Sequence, residues 1–470
     1  MGKKPTVKEL ENLNKKTKIV WDTFNAKEQK ECLEFCENYK IFLDNAKTER
    51  EAVDEIIQIA KKNGFTDIDS QTTGNGKFYK NFNNKAVLVS VKGKKSMSDG
   101  LKIIGSHLDS PRLDLKQNPL YEDLDLAMMK THYYGGIKKY QWLSRALAFH
   151  GCIVLNDGEI INLTIGEKPT DPVFVISDLL PHLARDYSSK KVSEAFEGEK
   201  LNILVGSTPV KNKDIKERFK LNILYYLKEN YNIIEEDFVS AEIEIVPAGP
   251  ARDVGFDRGL IGAYGQDDRI CVYTSLRAIL ACEKPEFTSI AVFFDKEEIG
   301  SEGSTGAQSR FFEDYVSDLL QNENNNASER LLRKVLLNAS MLSGDVNAAI
   351  EPDYQEVHEK NNAARIGHGV CITKFTGSAG KSGSSDANAE YVGKIRHIFN
   401  KNNITWQTGE LGKIDQGGGG TIAKYLAAYG MDIIDCGPAL LSMHGPLEIS
   451  GKADVYMTYK AYKAFYDTKD

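Results

Sequence analysis

Apolar positions along the chain follow two rhythms. Over residues 48–64, Val53, Ile56, Ile57 and Ala60 recur at i, i+3, i+4 and i+7, which is one face of a helix. Thr48 with Glu51 forms the capping-box signature at its start, and Gly64 is the stop. Short apolar, β-branched runs at 86–91, 102–106 and 289–294, bounded by Gly, Asp and Lys, predict buried strands. Between 267 and 281, Val272, Leu276, Ile279 and Leu280 return to the helical period, and the strand from Ser289 follows shortly after Pro285. The same order recurs late: a glycine run at 417–420, an apolar helix over 421–429, then a strand over 431–435. Helix followed by buried strand implies α/β layering at both ends of the chain.

The middle has a different style. From about 119 to 257 the runs are short and alternating, as at 152–155, 159–163 and 241–246, with a turn at Asn156-Asp157-Gly158. This reads as a β-rich insertion over 119–257 in an α/β domain made of 1–118 and 258–470. Length supports two units, because 470 residues exceed the roughly 250–300 at which a single core stops growing. The acidic, Asn-rich stretch 321–328 reads as a surface loop or helix connection.

Composition narrows the class without naming it. Hydrophobic residues at 41% and charged residues at 27% are those of an ordinary globular chain. A net charge of -7, with both signs spread along the length, offers no basic field for nucleic acid. The basic start MGKKPTVKELENLNKK has no apolar segment behind it, and no window approaches the 18 or so apolar residues of a spanning helix, so neither export nor membrane insertion is expected. The 7 scattered cysteines lack the density of a disulfide framework and fit a reducing cytoplasm. Cys32 and Cys36 share a helix face and read as core.

Candidate chemistry gathers where strands end. The run 102–106 leads into His107-Leu108-Asp109, at the carboxyl edge where open α/β sheets build their sites. His107 could bind a metal while Asp109 orients it from behind, although an HxD triplet alone is as easily a surface turn. Asp295-Lys296-Glu297-Glu298 follows another strand and precedes a glycine-rich loop, so one Glu could bind metal and its neighbour take a proton from water. In Gly265-Gln266-Asp267-Asp268, Asp268 could merely cap the helix, while Asp267 could bridge two cations through its two oxygens. Asp345 and His444 each follow an apolar stretch. Singly each has a bland reading. Together, in a chain with only 8 histidines, this N/O donor set suits a pair of divalent cations, and a co-catalytic zinc site is the leading reading. The glycines at 417–420 lack the spacing of a phosphate loop and predict close backbone packing beside the site.

The stretches GSHLDSPRLDLK from Gly105, GQDDR from Gly265, DKEEIGSEGSTGA from Asp295, GDVNAA from Gly344 and SMHGPLEISGKADV from Ser442 resemble the aspartyl aminopeptidase and aminopeptidase I family of dinuclear metallopeptidases, in its bacterial branch, through nearly the whole chain. The resemblance implies a three-layer α/β/α zinc-peptidase domain with an inserted β-rich domain, cytoplasmic, acting on the N-terminal residue of peptides. It implies that His107, Asp267, Asp345, Glu298 and His444 hold two divalent ions, zinc first with cobalt or manganese as alternatives, and that Asp267 bridges them. Glu297 is then the general base and Asp109 the support of His107. Relatives assemble through the inserted domain into tetrahedral dodecamers, and the stretch around His182 resembles an element that reaches a neighbouring subunit's site. His358 lies where relatives carry a histidine close to the active site. The chain departs from other branches at Asp268, where they have Asn, and in the Gly/Ser-rich loop 374–386. Lys374 or Lys381 there could pair with a substrate carboxylate, so acidic and neutral N-terminal residues both remain open. Two other readings stand beside this one: a different amide hydrolase on the same metals, and a non-catalytic peptide-binding assembly.

Overall fold

A computed structural model describes residues 5–11, 13–15, 17–70, 76–324 and 327–469. Positions 1–4, 12 and 16 of the basic start and 325–326 of the acidic stretch 321–328 lie outside the described residues. Helix Phe311–Asn324 takes up the first part of that stretch, and helix Glu329–Leu337 begins just beyond it.

The strands predicted as buried runs form the middle of a nine-stranded sheet. Thr288–Phe294, Leu101–His107, Ser340–Ser343 and Asp432–Gly437 lie side by side in that order, all parallel. Nearly every residue in them is buried, as parallel strands covered on both faces require. Alternate side chains enter opposite cores, and this fixes the layers. Ile104, Ala291, Leu342 and Ile434 meet helices Ala26–Asn45, Gln266–Leu280 and Lys452–Tyr466, whereas Ile103, Ile290, Met341 and Ile433 meet helices Phe311–Asn324 and Glu329–Leu337. The three-layer α/β/α expectation holds.

The middle of the chain builds a separate antiparallel sheet of six strands, ordered Ile160–Ile165, Leu147–Val154, Glu242–Pro247, Arg112–Asp123, Leu126–Tyr134 and Ile203–Gly206. Its core surrounds Trp142, Phe149 and Ile245. The turn at Gly158, with φ +89°, joins the first hairpin as its sequence suggested. Strand Arg112–Asp123 starts earlier than position 119, and helix Arg218–Tyr231, which the alternating pattern did not signal, packs Ile223, Leu224 and Leu227 on this sheet. A third, five-stranded sheet contains the hairpin of Ala439–Leu441 and Glu448–Gly451.

All 7 cysteines are free and buried, and the thiols of Cys32 and Cys36 both lie 3.4 Å from the Lys452 carbonyl oxygen. Among the described residues, no helix is long and apolar enough to cross a membrane.

The cap predicted for helix Glu49–Lys62 is present. Thr48 Oγ1 accepts from the Glu51 amide at 3.2 Å, and Glu51 Oε2 accepts from the Thr48 amide at 3.2 Å. Thr48→Ala removes one acceptor for a helix-end N–H and is expected to cost about 1 kcal/mol. Urea unfolding reads this directly, and an unchanged midpoint and slope would contradict it.

Candidate metal centre

Sheet register explains why distant residues meet. His107, the last residue of Leu101–His107, lies opposite Phe294, and Gly105 lies opposite Ser343. The segments leaving these strands therefore emerge together, carrying Glu297 and Glu298 from one side and Asp345 from the other. Asp267 arrives just before a helix. Its φ/ψ of -83°/106° and those of Asp268 at -113°/28° are not helical, so the regular turns start after the acidic pair rather than with it. His444 stands in the turn of the hairpin in the third sheet, in a left-handed conformation with φ 62°.

The donors converge around Asp267. Its Oδ1 is 3.3 Å from His107 Nε2, and its Oδ2 is 3.3 Å from His444 Nε2. His444 Nε2 is also 3.3 Å from Glu298 Oε2. Two triads share Asp267: His107 with Asp345, and Glu298 with His444, each with ligand atoms within 4.8 Å of one another. Glu297 falls within the same span of His107 and Glu298. Asp267 Oδ1 and Glu298 Oε1 are buried and accept no hydrogen bond. The approach of His107 to Asp267 is thus one of shared direction, as for two ligands of one ion.

The imidazoles are pre-set for this. His107 Nδ1 lies 3.0 Å from the Asp109 carbonyl and His444 Nδ1 lies 2.9 Å from the Gly136 carbonyl, so each donates from Nδ1 and turns Nε2 toward the shared carboxylates.

Charge in the metal-free chain is unbalanced. Burial, followed by the nearby Asp267 carboxylate, raises Glu298 and Asp345 well above the ordinary carboxylate range. Burial also pushes Glu297 up to about 7 and Glu448 up to about 8. Asp267 goes the other way: burial opposes its charge, but the imidazoles of His107 and His444 hold it low. The same contacts push His444 up to about 10 against its burial. Without cations the cluster takes up protons to relieve repulsion. Carboxylate oxygens and imidazole Nε2 atoms that converge on one buried space, and hold protons there only in place of cations, fit one or two bound divalent ions.

Two supports extend the set. Asp109, wholly buried, presents its backbone carbonyl to His107 Nδ1, with Oδ1 more distant at 3.4 Å. Its carboxylate accepts the amides of Glu297 at 3.0 Å and Glu298 at 3.1 Å, so the side chain mainly braces the turn holding those two acids. Glu448 accepts the amides of Asp267 at 3.0 Å and His444 at 2.8 Å. Glu448 was not singled out from the sequence, although its stretch was. A buried acid at even spacing from His444 in a hairpin was the available signal.

A cleft of about 480 Å³ opens over these residues, lined further by Asn347, Thr373, Leu411, Lys424, Tyr425 and Met443. Gly418–420 form one wall. A Cβ on Gly418 would come within 1.7 Å of the Gly377 carbonyl oxygen, so the glycine run does serve close backbone packing. The other substrate candidates lie outside this lining. Lys374 pairs with Asp386 at 2.6 Å and Lys381 with the same carboxylate at 3.2 Å, so the loop satisfies its own charges, and Lys424 lines the cleft instead. His358 is buried and does not line the cleft, and His182 is exposed.

A sheet with a parallel centre between helix layers, and histidine and carboxylate side chains converging at its carboxyl edge, fits a metal-dependent hydrolase. The chain belongs to the aminopeptidase I zinc metalloprotease (M18) family, which matches residues 42–466, and it is a metalloaminopeptidase. A probable M18 family aminopeptidase 1 of Clostridium acetobutylicum is 53% identical over 460 residues, covering 97% of this chain and 99% of that relative. The crystal structure of an M18 family aminopeptidase from Thermotoga maritima superposes with a TM-score of 0.93 at 47% identity, covering 97% of this chain and 100% of that one. The crystal structure of aminopeptidase I from Clostridium acetobutylicum gives 0.90 at 50% identity, covering 97% and 100%.

Proposed function

We propose that the chain hydrolyses the N-terminal residue of peptides at a site holding two divalent ions, with zinc the first candidate and cobalt or manganese compatible with the same donors. The carrying observation is Asp267, whose two oxygens each face one imidazole Nε2 at 3.3 Å. In this reading His107 and Asp345 would hold one ion and Glu298 and His444 the other, with Asp267 available to both. The ions supply Lewis acidity toward the scissile carbonyl and make a neighbouring water more acidic. Glu297 takes the proton of the attacking water and returns it to the leaving amine. Asp109 keeps the Glu297 and Glu298 amides in register, and Glu448 does the same for Asp267 and His444.

The division into 1–118 with 258–470 and 119–257 belongs to the same reading, supported by the separate core of the six-stranded sheet, whose strand Arg112–Asp123 moves the first boundary ahead of Arg112. So does a cytoplasmic homo-oligomer, up to a tetrahedral dodecamer. Its support is the exposed apolar surface on the second unit, where Val173, Leu183, Val192 and Tyr225 are all more than half exposed. His182 lies on that surface, free to reach a neighbouring copy.

Metal analysis of the purified chain is expected to give about two divalent ions per chain. A panel of aminoacyl substrates is expected to turn over only with a free α-amine. Equal turnover of N-acetylated dipeptides would replace this reading by another amide hydrolase on the same ions, and absence of bound metal together with absence of turnover would leave a peptide-binding assembly.

A further inference from the structure

Three successive residues, the last of strand Leu126–Tyr134 and the two that follow it, reach into the metal centre, each by a different contact. Strand Leu126–Tyr134 ends at Tyr134, whose hydroxyl donates to Asp109 Oδ2 at 2.8 Å. Gly135, at φ +70°, lays its backbone against Glu298: a Cβ there would lie 3.4 Å from Glu298 Cβ. Gly136 offers the carbonyl that receives His444 Nδ1 at 2.9 Å.

The segment is itself anchored. The Tyr134 ring lies over the Arg112 guanidinium, 3.9 Å from ring centroid to Cζ. Arg112 is buried and held by Asp114 at 2.8 Å, Glu244 at 3.1 Å and Glu49 at 3.7 Å. Fixed on one side, the tyrosine can fix something on the other. The Asp109 carboxylate accepts one amide on each oxygen, Glu297 at Oδ1 and Glu298 at Oδ2, and Tyr134 adds a second donor at Oδ2. This third donor to the carboxylate ties it to the anchored ring and so holds the turn bearing Glu297 and Glu298. His444 needs help most, because its side chain is 36% exposed while Asp267 and Glu298 are nearly closed off.

Building on the metal-site reading above, we propose that residues 134–136 are a positioning clamp through which the six-stranded sheet sets the metal centre, Tyr134 acting through Asp109 and Gly136 through the tautomer of His444. The second unit is then part of the catalytic apparatus and not only an assembly surface. Partners behind metal ligands commonly weigh about 10–100-fold in metal affinity or activity.

The test is Tyr134→Phe in the full chain, which keeps the ring on Arg112 and removes only the hydroxyl. Tyr133→Phe, on the exposed neighbour, is the control. Zinc affinity by chelator competition, the visible spectrum of the cobalt-loaded protein, kcat and KM are measured beside the melting temperature of the metal-free chain. Tyr134→Phe is expected to weaken at least one zinc site by about 10–100-fold, shift the cobalt bands and lower kcat with little change in KM. Tyr133→Phe is expected to change none of these. Wild-type zinc affinity and cobalt spectrum in Tyr134→Phe would overturn the clamp, as would a fall in melting temperature with both unchanged. Should Tyr134→Phe not fold, 3,5-difluorotyrosine at position 134 retains ring and hydroxyl but alters donor strength. Altered cobalt bands then support the clamp and unaltered bands reject it. A wild-type chain that binds no cation removes the metal-site reading itself, whereas tight binding of two ions by both wild type and Tyr134→Phe removes only the clamp.

Discussion

Glu297→Gln is expected to lower kcat by about 10²–10⁴ for the lost proton transfer, and further for lost activation of water, while leaving about two ions bound. The substitution preserves shape and keeps the backbone amide that donates to Asp109 Oδ1, so the turn has no reason to move. What disappears is the proton acceptor. Burial pushes the Glu297 carboxyl up to about 7 in the metal-free chain, which puts its basicity near that useful for accepting and returning a proton at neutral pH. Ions in the site would draw it lower by their charge. The geometry also allows a rival role, since Glu297 lies within ligand reach of His107 and Glu298. Steady-state rates alone do not separate the two, but rates with metal content do: a base leaves the ions behind, a ligand takes one with it. Full turnover in this variant would remove Glu297 from the chemistry.

The site was legible in the sequence to the degree that it depends on strand ends. A buried strand announces itself by an unbroken apolar run, and an acid or histidine just beyond it must emerge at a sheet edge. His107, Glu297, Glu298 and Asp345 were accessible in that way. Which oxygen of Asp267 faces which histidine was not, because it depends on strand register and on a hairpin more than a hundred positions downstream. Asp109 shows the limit at short range. Spacing two from His107 suggested a side-chain contact between them, yet its backbone carbonyl makes the closer one, and its carboxylate turns to amides 188 and 189 positions away. Lys374 shows a second limit. A lysine in a glycine-rich loop reads as free charge until folding brings Asp386 to it, leaving Lys424, on an unremarkable apolar helix, to face the cleft. The residues 134–136 could not be found at all from local pattern, because a strand end in one sheet gains its meaning only from what the other sheet places against it.

Because Asp267 is shared, its loss and the loss of His444 should differ in kind. Asp267→Ala takes a ligand from both ions at once and leaves Glu298, Asp345 and Glu297 facing one another in a buried space. Only two donors are then left for each ion, His107 with Asp345 and Glu298 with His444, too few to hold either against dialysis. Metal content is expected to fall to about zero, with turnover lost to the level of the chelated wild type. His444→Ala removes one donor from one triad. His107, Asp345 and Asp267 still converge, and the tautomer of His107 is still fixed by the Asp109 carbonyl, so about one ion should remain, with turnover strongly reduced. Elemental analysis after dialysis against metal-free buffer distinguishes the pair, with circular dichroism to verify that both chains are folded. Equal metal content in Asp267→Ala and His444→Ala would show that the carboxylate is not shared, and two ions retained by Asp267→Ala would take it out of the ligand set. The Asp267 amide would still donate to Glu448, and the Ser110 hydroxyl would still donate to the Asp267 carbonyl at 2.7 Å. The backbone is thus held independently of the side chain, and the difference between the two variants reads coordination rather than collapse.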